Sequence, residues 1–573
     1  MLIFYDFEVF LHDWLVVFIN PIERWDLCIE NDANALTAFY AKHKESIFVG
    51  YNNRHYDSYI YKGILLGFDP HKINDFLIVD KQAGWAYSDE FRKIPMNNYD
   101  VAKINDGGLK TLEAYMGNDI RETSVPFDIQ RKLTPEELAE TRKYCYHDVE
   151  QTIEVFMRRK SDFDAHMALL TEFSLPISDI SKTQVRLVAK ILDCTKRTRR
   201  DEFDITIVNT LKLSKYSYIK TWFVDQMEKG KKSGEYPEES LKCTIAGVEH
   251  TFGWGGVHGA KEQYHAKGLF LHVDVNSYYP SLMIEYGWLT RNSRNPEKYT
   301  KIYGHRLALK AAGKKKEQAP YKIVLNGTFG GSKDKTSQMY DPHQANEICI
   351  NGQLLLVDLI EKLEAIPDFE LIQSNTDGLI IKIPDTDEAF EMADDICYEW
   401  EKRTGMGLGF DIISEIWQKD VNNYVFKFQN GGIERKGGYV QESSDLKRDL
   451  AIVNEALVAY MTENIPIEKT INECSDLKMF MKVVKVSQKY LCGWHNGKRL
   501  KDKTFRIFAS KNPNDGYIEK QKNAGAKPEK FANTPEHCLI YNERIDEDTK
   551  LDIDKQWYID LARKRLRDFG LEV

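Results

Sequence analysis

The sequence predicts a multidomain protein of mixed α/β and α+β class, on three observations. At 573 residues the chain is too long for one hydrophobic core. Strand-like and helical patterns alternate over roughly the first 165 residues, as in an α/β domain. Further along, two apolar runs, GLFLHVDVNSYYP and LIQSNTDGLIIKI, each read as a strand carrying an acidic residue at or near its end.

Taken in order, LIFYDFEVF and DWLVVFIN are β-rich runs that read as a hairpin at the start of a sheet. ANALTAFYAKH has a helical pattern. So has TPEELAETRKYCYHDVEQTIEVFMRR, which opens on Thr134-Pro135-Glu136-Glu137, a capped start with proline in the first turn. The stretch EKGKKSGEYPEES (228–240) reads as an exposed loop, and from about residue 441 amphipathic helices mix with polar, Lys- and Arg-rich loops. There is no short-period repeat and no low-complexity segment.

Composition narrows the class. The chain is 42% hydrophobic and 29% charged, which is globular rather than disordered. Aromatics at 12% suit well-filled cores first and base stacking second. A net charge of −9 excludes a globally basic nucleic-acid binder but leaves room for local basic tracks, which phosphates feel within a Debye length of ~8–10 Å. The nine cysteines are scattered with no C-x-x-C pair, so zinc ribbons and iron–sulfur clusters lack support and a reducing compartment is expected. MLIFYDFEVF is not built like a signal peptide, and no run of about 18 apolar residues suggests a membrane span. The expectation is a soluble cytoplasmic protein, in the host cytoplasm if viral.

Asp6 and Glu8 stand at i and i+2 on an apolar strand, so period-2 geometry puts both carboxylates on one face. Such a pair repels unless a cation lies between, which points to Mg²⁺ or Mn²⁺; a surface acid pair is the alternative for this motif taken alone. Asn53-Arg54-His55-Tyr56-Asp57 follows, then Tyr144-x-x-x-Asp148 on the long helical pattern. In that order the three motifs resemble those of DnaQ-like proofreading exonucleases, of RNase H-like fold. The resemblance implies two divalent ions held by Asp6, Glu8, Asp57 and Asp148 for phosphodiester hydrolysis. It also implies Tyr144 placing the attacking water, and Asn53 and Tyr56 touching a single-stranded 3′ end. Asp100, at the end of a strand-like run, reads as structural or supporting.

The second set begins at Asp274-Val275-Asn276-Ser277-Tyr278-Tyr279-Pro280-Ser281, which matches D-x-x-S-L-Y-P-S almost position by position. Lys322-x-x-x-Asn326-Gly327-Thr328-Phe329-Gly330 is similar to K-x-x-x-N-S-x-Y-G, and Ser374-Asn375-Thr376-Asp377-Gly378 to Y-x-D-T-D-S. These resemble motifs A, B and C of family B DNA polymerases, and with the exonuclease motifs the resemblance spans essentially the whole chain. It implies template-directed DNA synthesis with 3′→5′ proofreading, on primer–template DNA and dNTPs, with two Mg²⁺ or Mn²⁺ ions per active site. Asp274 and Asp377 would hold the ions, with the Val275 carbonyl as a backbone ligand. Tyr279 would sit beneath the incoming sugar and exclude a 2′-hydroxyl, while Tyr278 packs inward; Ser277 and Tyr278 are counted with it among the nucleotide-binding candidates. Lys322 would meet the triphosphate, with Asn326 and Phe329 facing the nascent base pair. Arg306 and Lys310, spaced i, i+4, are either phosphate-binding or a solvated helix face. Gly255-Gly256 resembles the Y-x-G-G element, without its tyrosine. Lys436 and Tyr439, in Arg435-Lys436-Gly437-Gly438-Tyr439, resemble a K-x-Y primer-binding motif, and Thr376 is a further DNA-binding candidate.

The implied layout is an exonuclease domain over 1–165, a connector with N-terminal palm elements over 166–260, palm over 261–295, fingers over 296–332, palm over 333–440 and thumb over 441–573. Motif C has Asn375 where an aspartate is usual and Gly378 in place of serine; the carboxylate expected to bind metal, Asp377, is kept. Only 48 positions separate Asp274 from Lys322 and 47 separate Gly330 from Asp377. Two finger helices of ~15 residues take up the first interval, leaving little room for the two terminal-protein insertions of protein-primed polymerases. The chain thus resembles a small phage or mobile-element polymerase that does not prime from protein. Weaker strand displacement and processivity are expected unless replisome accessory proteins supply them, and the chain is expected to act as a monomer. In the C-terminal segment, Lys482, Lys485, Lys489, Lys498, Arg499, Lys501, Lys503 and Arg506 are interleaved with Tyr490, Trp494 and Phe505, either to hold duplex or as a solvated face. Three rivals stand beside the polymerase: a nuclease with a vestigial palm, a replisome scaffold, and an RNA-synthesising primase-polymerase, which Tyr279 disfavours.

Overall fold

A computed structural model describes residues 1–572 and divides them into two compact units. Unit 1 comprises Met1–Lys182, Ser443–Ile452 and Ile471–Tyr558; unit 2 comprises Thr183–Glu442, Val453–Thr470 and the residues from Ile559 onward.

Unit 1 is built on a five-stranded sheet in the order β3-β2-β1-β4-β5, from β1 (Leu2–Val9), β2 (Trp14–Asn20), β3 (Trp25–Glu30), β4 (Ile47–Gly50) and β5 (Asn97–Asp100). The first three strands form an antiparallel meander, and β1, β4 and β5 run parallel. The expected opening hairpin is β1–β2. Along β1 the odd residues Ile3, Tyr5, Phe7 and Val9 enter an aromatic core with Phe18, Phe48 and Tyr61. The even residues take the opposite face, where Phe4 meets Phe156 of the long helix Pro135–Arg158 edge-on at 5.1 Å. Strand alternation therefore delivers Asp6 and Glu8 to the side covered by that helix. The helix starts as its sequence indicates: the Thr134 hydroxyl accepts from Glu137 N at 3.2 Å, and Glu137 Oε2 accepts from Thr134 N at 2.8 Å.

Unit 2 is built on nine antiparallel strands in the order β14-β13-β12-β9-β11-β10-β8-β7-β6. They are β6 (Leu241–Ile245), β7 (Val248–Phe252), β8 (His258–Ala260), β9 (Tyr264–Val275), β10 (Glu370–Asn375), β11 (Gly378–Ile383), β12 (Leu408–Asp420), β13 (Asn423–Phe428) and β14 (Ile433–Lys436). Phe270, Ile372, Ile380, Ile413, Ile416, Tyr424 and Phe426 make the core on one face. The helix Pro342–Leu363 is buried along nearly its whole length. The interval after motif A holds a helix hairpin of 16 and 15 residues, Pro296–Ala311 and Ala319–Lys333, pinned where the Tyr299 hydroxyl donates to Leu325 O at 3.1 Å.

Two local expectations are corrected. Residues 228–233 are not loop but the end of the helix Ser217–Ser233. Gly230 is admitted there because it packs on the Phe203 ring, and the helix stops at Gly234, whose φ of 72° suits glycine alone. The C-terminal segment is also richer in strand than its charge pattern suggested: Thr504–Ala509, buried throughout, pairs with Lys482–Lys485 and Cys538–Ile540. Among the described residues no helix is long and apolar enough to cross a membrane, and all nine cysteines are free.

Candidate active sites

In unit 1 four carboxylates converge. Asp6 and Glu8 project from β1. Asp57 begins the helix Asp57–Leu65 and its Oδ1 accepts from Phe7 N at 3.0 Å, which ties that helix to β1 between the two acids. Asp148 comes from the long helix, one turn after Tyr144. Glu8, Asp57 and Asp148 are buried and Asp6 is half-buried. Burial pushes all four carboxyls upward, Asp57 to about 7 and Asp148 to about 6, and for Asp6 the nearby Asp57, Glu8 and Asp148 add to it. Such a set is unstable without positive charge.

Part of that charge is a residue the sequence reasoning passed over. Lys110 Nζ lies 2.5 Å from Asp148 Oδ1, 3.1 Å from Glu113 Oε1 and 4.7 Å above the Tyr144 ring. It stands near the start of the helix Leu109–Met116, presented by a turn through Gly107 and Gly108 at φ 74° and 107°. Adjacent glycines before a lone lysine were the one available signal. Glu113, fully buried, also approaches His147 Nε2 at 3.5 Å. Donor atoms of Asp6, Glu8 and Cys145 lie within 4.8 Å of one another. Burial raises the Cys145 thiol, which donates to Asp6 O at 3.3 Å, so it is a poor ligand and the donor set is carboxylate oxygen. That set fits a hard divalent cation, Mg²⁺ or Mn²⁺.

The other residues read for this centre are placed as follows. Asn53 is fully buried, and its amide exchanges hydrogen bonds with the Asn98 side chain at 3.0 and 3.1 Å. The Tyr56 hydroxyl donates to Asn74 at 2.8 Å. Asp100 accepts from Asn52 N, Arg54 N and Ala102 N, which moulds the loop leading to Asp57.

In unit 2 Asp274 is the next-to-last residue of β9 while Asp377 lies in the tight turn between β10 and β11. Gly378 is the register partner of Asp274, and Val275 N donates to Asp377 O at 2.9 Å, so backbone pairing holds the two acidic positions side by side. Burial raises the Asp274 carboxyl to about 6, Asp377 adds to this, and His272 and Lys310 oppose it. A Cβ on Gly378 would stand 3.0 Å from Val273 O and 3.2 Å from Asp274 Oδ1, which explains glycine in place of serine. Gly378→Ala is expected to slow any reaction at Asp274 about tenfold or more while lowering stability by only ~1 kcal/mol, measured by steady-state rate and thermal melting.

Around this pair Ser277 takes a left-handed conformation, φ 51°, and its hydroxyl accepts from Arg306 Nη1 at 2.8 Å. Arg306 is thus turned inward, while Lys310, one turn on along the same helix, is exposed and close enough for its charge to act on Asp274. Tyr279 stacks on Phe329 at 4.0 Å, whereas Tyr278 is buried and donates to Gly352 O at 2.5 Å. Lys322 and Asn326 are exposed, one turn apart on Ala319–Lys333. Gln353 donates to the carbonyls of Gly253 and Gly255 at 2.8 and 2.9 Å. A Cβ on Gly256 would come within 2.6 Å of Thr376 Oγ1, so this glycine segment lies against the Asp377 turn. Lys436 Nζ lies 5.6 Å above the Tyr424 ring. The Tyr439 hydroxyl donates to Asp568 at 3.1 Å, with the Arg565 guanidinium 4.8 Å from its ring. Arg506 is corrected: it is 0% exposed and its guanidinium is spent on backbone carbonyls, so it cannot hold a phosphate.

No protein-family model matches the chain, and no curated protein matches it in sequence. Among solved structures it is similar to the family B DNA polymerase from the hyperthermophilic archaeon Pyrobaculum calidifontis, at 15% identity over 100% of this chain and 78% of that one, with a TM-score of 0.42. At that score the likeness decides nothing about function.

Proposed function

We propose that the chain is a DNA-directed DNA polymerase of the family B type with a 3′→5′ exonuclease, working on primer–template DNA. The observation that carries the reading is the pair Asp274 and Asp377, set on neighbouring strand ends by the Gly378–Asp274 register, with the Tyr279–Phe329 stack in the same unit. The four-carboxylate centre of unit 1 supports the nuclease half.

Divalent ions, when bound, would activate the primer 3′-hydroxyl or a water and neutralise phosphate charge. Asp274, Asp377 and the Val275 carbonyl would hold them at the synthetic centre, and Asp6, Glu8, Asp57 and Asp148 at the hydrolytic one. The remaining work falls to the chain's other side chains. Exposed Lys322 offers a point charge to the triphosphate. Tyr279, immobilised by its stack on Phe329, forms a wall beneath the sugar. At the hydrolytic centre Tyr144 orients water while Lys110 offsets the charge of Asp148. The ~15-residue hairpin helices leave no insertion between motifs A and B, in keeping with synthesis that does not prime from protein.

Two expected results follow. Tyr279→Val raises ribonucleotide incorporation relative to deoxynucleotide by roughly ten- to a hundredfold, read from single-nucleotide kcat/KM ratios. Lys110→Met slows 3′-end degradation about a hundredfold and leaves extension unchanged, read on separate single-stranded and primer–template substrates. The reading as a whole is tested by single-nucleotide addition on four templates. Incorporation that follows the template base supports it, and nucleotide addition indifferent to template, or none, refutes it.

A further inference from the structure

The helix Leu109–Met116, which carries Lys110, is gripped at both ends by residues more than 350 positions downstream in the same unit. At its start Lys485 Nζ donates to Gly107 O. At its end Arg506, from the strand Thr504–Ala509, donates to Ala114 O at 3.1 Å, Glu113 O at 3.5 Å and Asn118 O at 2.7 Å, and also to Tyr541 O and Glu543 O. The grip continues in the following turn, where Ile545 N donates to Gly117 O and Ile120 N to Asn542 O, both at 2.8 Å.

Arg506 has no carboxylate partner among these contacts; every acceptor is a main-chain carbonyl. The C-terminal turn of the helix is closed by Gly117 N on Ala114 O and Asn118 N on Glu113 O, so Arg506 adds a second donor to these carbonyls at the negative end of the helix dipole. A planar guanidinium supplies five donors in fixed directions, so it sets the position of that helix end in a way an ammonium cannot. Burial lowers the group only to about 10, so it stays cationic. The helix is a stiff rod, and Lys110 sits at its other end, 2.5 Å from Asp148.

We propose that Arg506 is a positioning residue of the nuclease centre: by fixing the helix Leu109–Met116 it sets Lys110 against Asp148, which makes the segment 471–558 part of the hydrolytic machinery. The proposal rests on the nuclease reading above.

The test measures degradation of a labelled single-stranded oligonucleotide by wild type, R506Q, R506K, K110M and the double variant K110M/R506Q, each as the full chain. R506Q is expected to lower kcat about a hundredfold with KM within about twofold, and R506K to recover part of the loss. The double variant is expected to be no slower than K110M, since both changes remove one device. Additive losses in the cycle overturn the proposal, as does R506Q degrading DNA at the wild-type rate. Should R506Q melt at the assay temperature, the same cycle is run with R506K, which keeps the charge, and additivity decides in the same way. Wild type that fails to degrade DNA at all refutes the nuclease reading and this proposal together; a wild-type nuclease indifferent to R506Q refutes the proposal alone.

Discussion

Replacing Asp377 by alanine abolishes primer extension while degradation of the primer continues at the wild-type rate. On the proposed reading the loss should reach about a thousandfold or more, roughly 4 kcal/mol of transition-state stabilisation, because one of the two side chains proposed to hold the ions is gone. The fold should survive. Asp377 is exposed, and the contact that sets its turn is made by its backbone carbonyl, which accepts from Val275 N. The variant also removes a negative charge that raises Asp274. Single-turnover extension at saturating dNTP, with a melting curve beside it, separates lost chemistry from lost structure.

The second large effect is the reverse. Asp6→Asn should stop 3′-end degradation, again by about a thousandfold, and leave extension intact. It should also stabilise the metal-free protein. The Asp6 carboxyl is displaced upward, so at neutral pH its ionised form is disfavoured in the folded chain; the penalty is present above the unfolded pKa and fades as the pH falls below it. Removing that charge should therefore gain at least about 1 kcal/mol at pH 7 in a chelating buffer, and little near pH 4. A melting temperature that falls at pH 7 would contradict the repulsion on which the reading of this centre depends.

How much of this was legible beforehand differs from residue to residue. The pairing of Asp6 with Glu8 follows from the period of a strand, and the capped start of the helix bearing Tyr144 and Asp148 follows from Thr134 to Glu137. The hairpin helices followed from counting residues between motifs. Lys110 did not, because a lysine acquires a role only when a fold of long-range contacts brings it to an acid 38 residues away. Arg506 was misread for a related reason. Local charge density suggests duplex contact or a solvated face, and only the tertiary structure reveals the helix end whose carbonyls this guanidinium meets. The strands around Thr504–Ala509 were hidden too, since lysines and arginines on short strands resemble loop composition. Gly378 looked like a departure from a motif until its register partner was seen to be Asp274.

The central claim is that one chain holds two separable carboxylate centres, one synthetic and one hydrolytic. It is tested most directly by incubating wild type and Mg²⁺ with an end-labelled primer–template, with and without the four dNTPs. The expected result is shortening of the primer without dNTPs and lengthening to the end of the template with them. Shortening at every dNTP concentration, with no product longer than the primer, would contradict the account and leave a nuclease whose second carboxylate pair does no synthesis.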